Sequence, residues 1–153
     1  MKIRWKVLII SFIAAYLAAG IGSIFTSAGV KSDWYQEIKP GMTPPNWVFP
    51  VVWGILFFLI ALSLYFSVIK AGKKMNKVLL LFGVNFLLNI LWSVFYFGMR
   101  NPGVALIDLI LIEISTLSIM SFAWKIDRKA SWLLIPYFLW VLFAGILNYM
   151  SIA

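Results

Sequence analysis

Reactive groups are scarce in this chain. None of its 153 residues is histidine or cysteine, which excludes thiol redox chemistry, imidazole bases and the usual metal and axial haem ligands together. Two carboxylates, Asp108 and Glu113, lie inside an apolar run, where an acidic side chain costs roughly 2.5–3.5 kcal/mol on insertion scales. Five residues apart, they stand about 140° around a helix, too far round to work as an acid/base pair on one substrate. A buried structural hydrogen bond is the expected use of each, with a proton relay as the alternative.

What remains is aromatic and amide chemistry, which is the chemistry of contact. Asn85, Asn89, Trp92 and Tyr96 follow i, i+4, i+7, i+11 spacing, with Ser93 beside them. Tyr137, Trp140, Ala144 and Asn148 follow i, i+3, i+7, i+11, and Trp47, Pro50, Trp53 or Gly54, and Phe57 recur with the same helical period. Amides in hydrocarbon must find partners, so these stripes are expected to face a bundle interior and not lipid. For Asn85 a bond that only holds helices together serves as well as ligand contact. For Trp92 and Tyr96 the expectation is cavity lining, and Trp53, Trp92 and Trp140 on three helices then wall a single flat slot. Such a slot favours a flat, rigid, apolar ligand, because rings stack and little ligand entropy is lost. The plainer alternative is that the tryptophans anchor at the membrane interface and the prolines make a tight turn.

The elements that must position these residues follow from composition. Hydrophobic residues make up 63% of the chain, mean hydropathy is +0.98, and only 12% of residues are charged, which marks an integral membrane protein. Five apolar segments are readable at Trp5 to Phe25, Trp47 to Ile69, Val78 to Phe97, Val104 to Trp124 and Trp132 to Ile152. Each is long enough to cross a hydrocarbon core of roughly 30 Å. The expected fold is therefore an all-α bundle of five transmembrane helices forming one domain, 1–153, with a long first loop over a pocket. The net charge of +8 sits in short clusters between apolar runs, which suits membrane orientation and not nucleic acid. Lys2, Arg4, Lys6, Lys70, Lys73, Lys74, Lys77, Lys125, Arg128 and Lys129 fall on one side, and Lys31, Lys39 and Arg100 on the other. By the positive-inside rule the N-terminus is cytoplasmic, while the C-terminus and first loop lie opposite.

The first apolar run follows MKIRWK and continues for about twenty residues, so a retained helix is expected in place of a cleaved leader. Its Ala14, Ala15, Ala18, Ala19 and Gly22 let another helix approach closely, within the bundle or across a dimer. The loop from Thr26 to Asn46 carries Trp34, Tyr35 and four charges, the length and content of a lid. Pro44 and Pro45 stiffen the chain into the second span, and Pro136 loosens the fifth. No Lys or Arg follows Tyr149, so a sterol motif of the L/V-x-Y-x-K/R kind is not completed.

These residues resemble one known family. Trp34-Tyr35, KPxxTPPNWVFPVVW from Lys39 to Trp53, NxLW from Asn89 to Trp92, the FYFG run to Gly98, ALIDL from Ala105 to Leu109, Trp124, and PYFLWVLFAGILN from Pro136 to Asn148 stand in the order found in the tryptophan-rich sensory protein and translocator protein family. The resemblance covers nearly the whole chain. It implies a five-helix bundle, often a homodimer, whose pocket under the first loop binds porphyrins such as protoporphyrin IX and other flat hydrophobic ligands; a bacterial cell membrane is the default location. Carried over, the pocket positions are Tyr35, Pro44, Trp47, Phe49, Trp53, Phe57, Asn89, Trp92, Ser93, Tyr96, Trp140 and Ala144. It also implies two alternatives: light- and oxygen-dependent breakdown of the porphyrin with Trp53 and Trp140 in the photochemical role, or a lipid- or sterol-binding regulatory protein. A free-base porphyrin needs no axial ligand, so no cofactor or metal is required. Its propionates would want cations at the pocket mouth, for which Lys31, Lys39 and Arg100 are the candidates, with ordinary snorkelling as the alternative. Met42 stands where the family often has Trp or Phe, and the step from Tyr35 to Lys39 is one residue short, so the lid is expected to fit its ligand differently. Glu113 has no counterpart in the family pattern.

Overall fold

The computed structural model describes residues 3–152, and these form helices and short turns with no strand. Lys2 of the amino-terminal basic cluster lies outside the described residues, as does Ala153. In chain order the elements are α1 (Trp5–Gly29), α2 (Asp33–Ile38), α3 (Val48–Lys70), α4 (Met75–Ser93), α5 (Pro102–Trp124), α6 (Arg128–Trp132) and α7 (Ile135–Met150). Five stretches are long and apolar enough to cross a membrane: α1, α3, α4 with its flanking turns, α5, and α6 with α7. The protein is a five-helix integral membrane bundle. Large apolar side chains such as Ile10, Leu80, Ile107 and Ile114 point outward and are more than half exposed, as helices solvated by lipid require.

Sequence chemistry sets the breaks. At the hairpin after α3, Gly72 takes a positive φ of 51°, a conformation glycine adopts without a Cβ penalty. Asn101 caps α5, its Oδ1 accepting from the Val104 N–H at 3.1 Å, with Pro102 in the first turn. Asp127 caps α6, accepting from the Lys129 N–H at 3.0 Å, and also pairs with Lys70 at 2.9 Å. The fifth span is not the single helix expected. It stops at Trp132 and restarts at Ile135, because Pro136 lacks an N–H and fits only the opening turn of α7. Hydroxyls stitch the shorter α6 to its neighbours: Ser63 Oγ donates to the Ala130 carbonyl at 2.7 Å, and Ser131 Oγ to that of Met120 at 3.0 Å.

Two departures at the α2 end of the bundle shape the interior. Helix α1 runs to Gly29, four residues past Phe25. The third span ends in a widened turn, Val94–Gly98, closed by the Met99 N–H donating to the Val94 carbonyl at 2.7 Å. The extra residue in that turn brings the adjacent Tyr96 and Phe97 both inward, to 4% and 9% exposure. Helix α1 meets this turn at Gly29, where an added Cβ would overlap the Phe97 ring. The small-residue stripe of α1 thus packs within the bundle, with Ala15, Ala18 and Gly22 buried.

Candidate functional site

The site is built from α2 downward. Ser32 Oγ accepts from the Tyr35 N–H at 3.3 Å and donates to the Gly29 carbonyl at 2.7 Å, so one cap both starts α2 and ties it to the end of α1. Helix α2 docks through aromatic rings: Tyr35 lies 6.4 Å from Tyr96 and 5.4 Å from Phe97, and Trp34 lies 5.8 Å from Tyr96, between centroids. Burial, reinforced by the neighbouring Tyr96 phenol, pushes the Tyr35 hydroxyl up to about 12, so it stays neutral at physiological pH.

Beneath α2 and the Pro40–Asn46 loop lies a cavity of about 580 Å³, walled by α1, α3, α4, α5 and α7. That volume is within the range of small-molecule pockets. The structure brings many of the candidate residues together there. Phe49, Trp53 and Phe57 come from α3, Asn89, Trp92, Ser93 and Tyr96 from the third span, and Ala144 from α7, with Tyr35 above and Lys31 at the mouth. Trp92 stacks on Tyr96 at 5.0 Å and 23°, and Trp53 lies 5.8 Å from Phe57 and 6.3 Å from Tyr137.

Other candidates stand elsewhere. Trp47 is 69% exposed at the start of α3, and Pro44, Lys39 and Arg100 are not in the cavity wall. Trp140 does not complete a three-indole slot. The inward stripe of α7 is Tyr137, Val141, Ala144 and Asn148, and Trp140 sits about 60° round from Tyr137. It therefore falls at the seam with α3, edge-on to Phe49 at 6.0 Å, and borders an outer apolar groove with Val52, Leu56 and Pro136.

The polar tips of Trp92, Tyr96, Asn89 and Asn148 are bonded within the protein. Trp92 Nε1 donates to Asn148 Oδ1 at 3.0 Å, and Asn148 Nδ2 to the Pro102 carbonyl at 2.7 Å. Tyr96 and Ser151 share a hydroxyl bond of 2.8 Å. Asn89 Nδ2 donates to Tyr137 Oη at 2.7 Å, which donates to Asn85 Oδ1 at 3.1 Å, while Asn85 Nδ2 donates to Ser115 Oγ and Thr116 Oγ1 at 2.7 and 3.2 Å. Asn85 is thus a helix-joining amide, and Asn89 both joins helices and reaches the wall. The cavity is left with aromatic rings, the buried and unpartnered Thr43 Oγ1, the Lys31 ammonium, and the side-chain polar atoms of Tyr35, Asn46 and Trp53, which form no hydrogen bond among the described residues. Among the described residues no carboxylate lines it. Asp108 Oδ2 and both Glu113 oxygens are buried without a hydrogen-bond partner, so the structural bonds expected of them are not formed. Among the residues the sequence reading missed are Tyr16, Gly22 and Thr26 on α1, Leu109 and Ile112 on α5, and Ser151, all of which line the cavity. A hydroxyl such as Thr26, back-bonded to Gly22 and touching Ser93 at 3.3 Å, was the available signal in an otherwise apolar run.

Compared with known families, residues 9–153 match the model of the TspO/MBR family. The chain belongs to that family. Among its relatives is a tryptophan-rich protein TspO of Archaeoglobus fulgidus, 38% identical over 143 residues that make up 92% of each chain. Another of the same name, from Chlorobaculum tepidum, is 40% identical over 87% of this chain and 86% of its own. The human translocator protein is 32% identical over 90% of this chain and 83% of its own. In this TspO/MBR protein the Lys39–Trp53 stretch forms the cavity's ceiling and the first turns of α3, while Asn89–Trp92 and Pro136–Asn148 supply two of its walls.

Proposed function

We propose that this protein is a membrane-embedded receptor or carrier for porphyrins and similar flat, apolar molecules, bound beneath α2. The observation that carries the reading is the wall itself: it is lined by the rings of Tyr35, Phe49, Trp53, Phe57, Trp92 and Tyr96, the polar edges of Trp92 and Tyr96 are bonded within the protein, and one cation, Lys31, lines it. Stacking on such faces needs no directional partner from the ligand. A porphyrin propionate at the mouth would meet Lys31, which has no carboxylate within ion-pair distance among the described residues. The names of the relatives, tryptophan-rich sensory protein and translocator protein, support a receptor or carrier role. The resemblance supports a homodimer, and a bacterial cell membrane is the expected location. Orientation with a cytoplasmic N-terminus is supported by the grouping of cations at the end remote from α2.

Replacing Lys31 with Gln tests this. An exposed charge pair is worth about 0.2–1 kcal/mol, so protoporphyrin IX should bind about 1.4- to fivefold more weakly while its dimethyl ester is unaffected. Equal weakening of both would remove the ion pair from the account. Illumination of the same complex separates a carrier from a light-driven activity. New absorbing products that vanish in Trp53→Phe would assign chemistry to the indole in the wall, and unchanged spectra would leave binding alone.

A further inference from the structure

Glycines in this bundle border two different kinds of space. At Gly22, Gly29 and Gly98 an added Cβ would press on Ser93, Phe97 and Phe25, so there the small residue permits close packing. At Gly20 of α1 and Gly54 of α3 an added Cβ would meet nothing within 4 Å, yet both residues line the cavity. The same edge of α1 continues through Tyr16, Ser23 and Ser27, which line the cavity and are exposed. Pro50 faces them from α3 in the same condition. Their sequence neighbours Leu17 and Ile24 are exposed on the lipid side of α1, so exposed wall residues beside them mark an opening.

The opening has a defined lower end. Below it α1 and α3 are zipped, with Ala15 and Ala61 fully buried and Phe12 edge-on to Phe58 at 5.2 Å. The helices part at Tyr16, whose hydroxyl donates to the Gly54 carbonyl at 2.8 Å. From Tyr16 to Ser27 the helix rises about 16 Å, roughly half of a 30 Å hydrocarbon core. The slit therefore spans one leaflet, the one beside α2. Its hydroxyls ask nothing of a passing molecule, since Ser23 Oγ donates to the Gly20 carbonyl at 2.8 Å. The rest of the lipid-facing surface of α1 is bulky, with Ile13, Leu17, Ile21 and Ile24.

We propose that the cavity is loaded sideways from the α2-side leaflet through the slit between α1 and α3, with Tyr16 as the latch that sets its depth. The ligand class follows: an amphiphile dissolved in the bilayer, whose flat apolar body slides between the helices while its anionic end stays at the level of Lys31. This rests on the binding reading above for the identity of the ligand but not for the existence of the route.

The test has a ligand arm and a ligand-free arm. Gly20→Leu and Gly54→Leu fill the slit without displacing a neighbour of the Cβ. Followed by stopped-flow quenching with protoporphyrin IX in nanodiscs, each should slow both association and dissociation tenfold or more, whereas a side chain that only intruded on the site would speed dissociation. Tyr16→Phe should speed both two- to fivefold. Unchanged rates in both leucine variants would overturn the route. Because the chain has no cysteine, a nitroxide can be placed at Ser23→Cys alone. It should collide with dissolved oxygen as a lipid-facing site does and be shielded from a water-soluble nickel chelate. Shielding from both, or nickel access equal to that of a nitroxide at Glu37→Cys on exposed α2, would also overturn it. If the wild type does not bind protoporphyrin IX at all, the binding reading fails and the nitroxide result decides the route by itself.

Discussion

Tyr137 holds two asparagines at once, accepting from Asn89 and donating to Asn85, with none of its own surface exposed. Without its hydroxyl each amide keeps a partner, since Asn89 Nδ2 also donates to the Asn85 carbonyl at 2.8 Å and to Asn85 Oδ1 at 3.2 Å. A buried polar group left without any partner costs roughly 1–3 kcal/mol, whereas hydrogen bonds in membrane proteins average only about 0.6 kcal/mol. The second figure governs here because two bonds are lost and no group is orphaned. Tyr137→Phe should therefore lower stability by about 1 kcal/mol in a denaturant titration in detergent, and a loss above about 3 kcal/mol would show that the two amides do not hold one another. At this scale Asn85 was legible in the sequence, since an amide in hydrocarbon has few options. Trp140 was not. Spacing of i, i+3 leaves a residue about 60° off the stripe, and only the neighbouring helix decides which seam that angle meets.

The elements that shape the cavity are those where the chain departs from a plain span. Helix α2 rests on Phe97, and Phe97 rests on Gly29, so α1, the widened turn and the lid form one contact chain. Gly29→Ala should push the Phe97 ring aside, an overpacking cost of about 1–3 kcal/mol. Its effect should concentrate on α2, read as faster amide hydrogen exchange in residues 33–38 than in α5. Uniform acceleration would mean that the lid is not held through this contact. Five apolar runs gave away the spans because lipid demands length and apolarity and little else. The widened turn carries no such mark, since FYFG would sit as well in an ordinary helix. Pro136 announced a disturbance, but whether it bends or breaks a helix depends on how nearby carbonyls are satisfied by neighbours, as α3 does for that of Ala130. The α1 wall was hidden for a related reason: Gly and Ala at helical spacing read as packing residues, and open space beside Gly20 is a property of two helices together.

For the whole molecule, the function proposed above gives one use to an unusually aromatic membrane interior, the holding of a flat ligand. The account places Trp53 in the cavity wall and Trp140 behind Phe49, and it places Ala144 where a larger side chain would occupy ligand space. Equilibrium quenching of tryptophan fluorescence by protoporphyrin IX, in detergent, in the dark and corrected for inner-filter absorption, addresses this directly. The wild type should show saturable quenching, Ala144→Phe should bind at least tenfold more weakly, and Trp53→Phe should lose more of the quenched amplitude than Trp140→Phe. Quenching that never saturates, or equal affinity in the wild type and Ala144→Phe, would contradict the claim that this cavity is where the ligand sits.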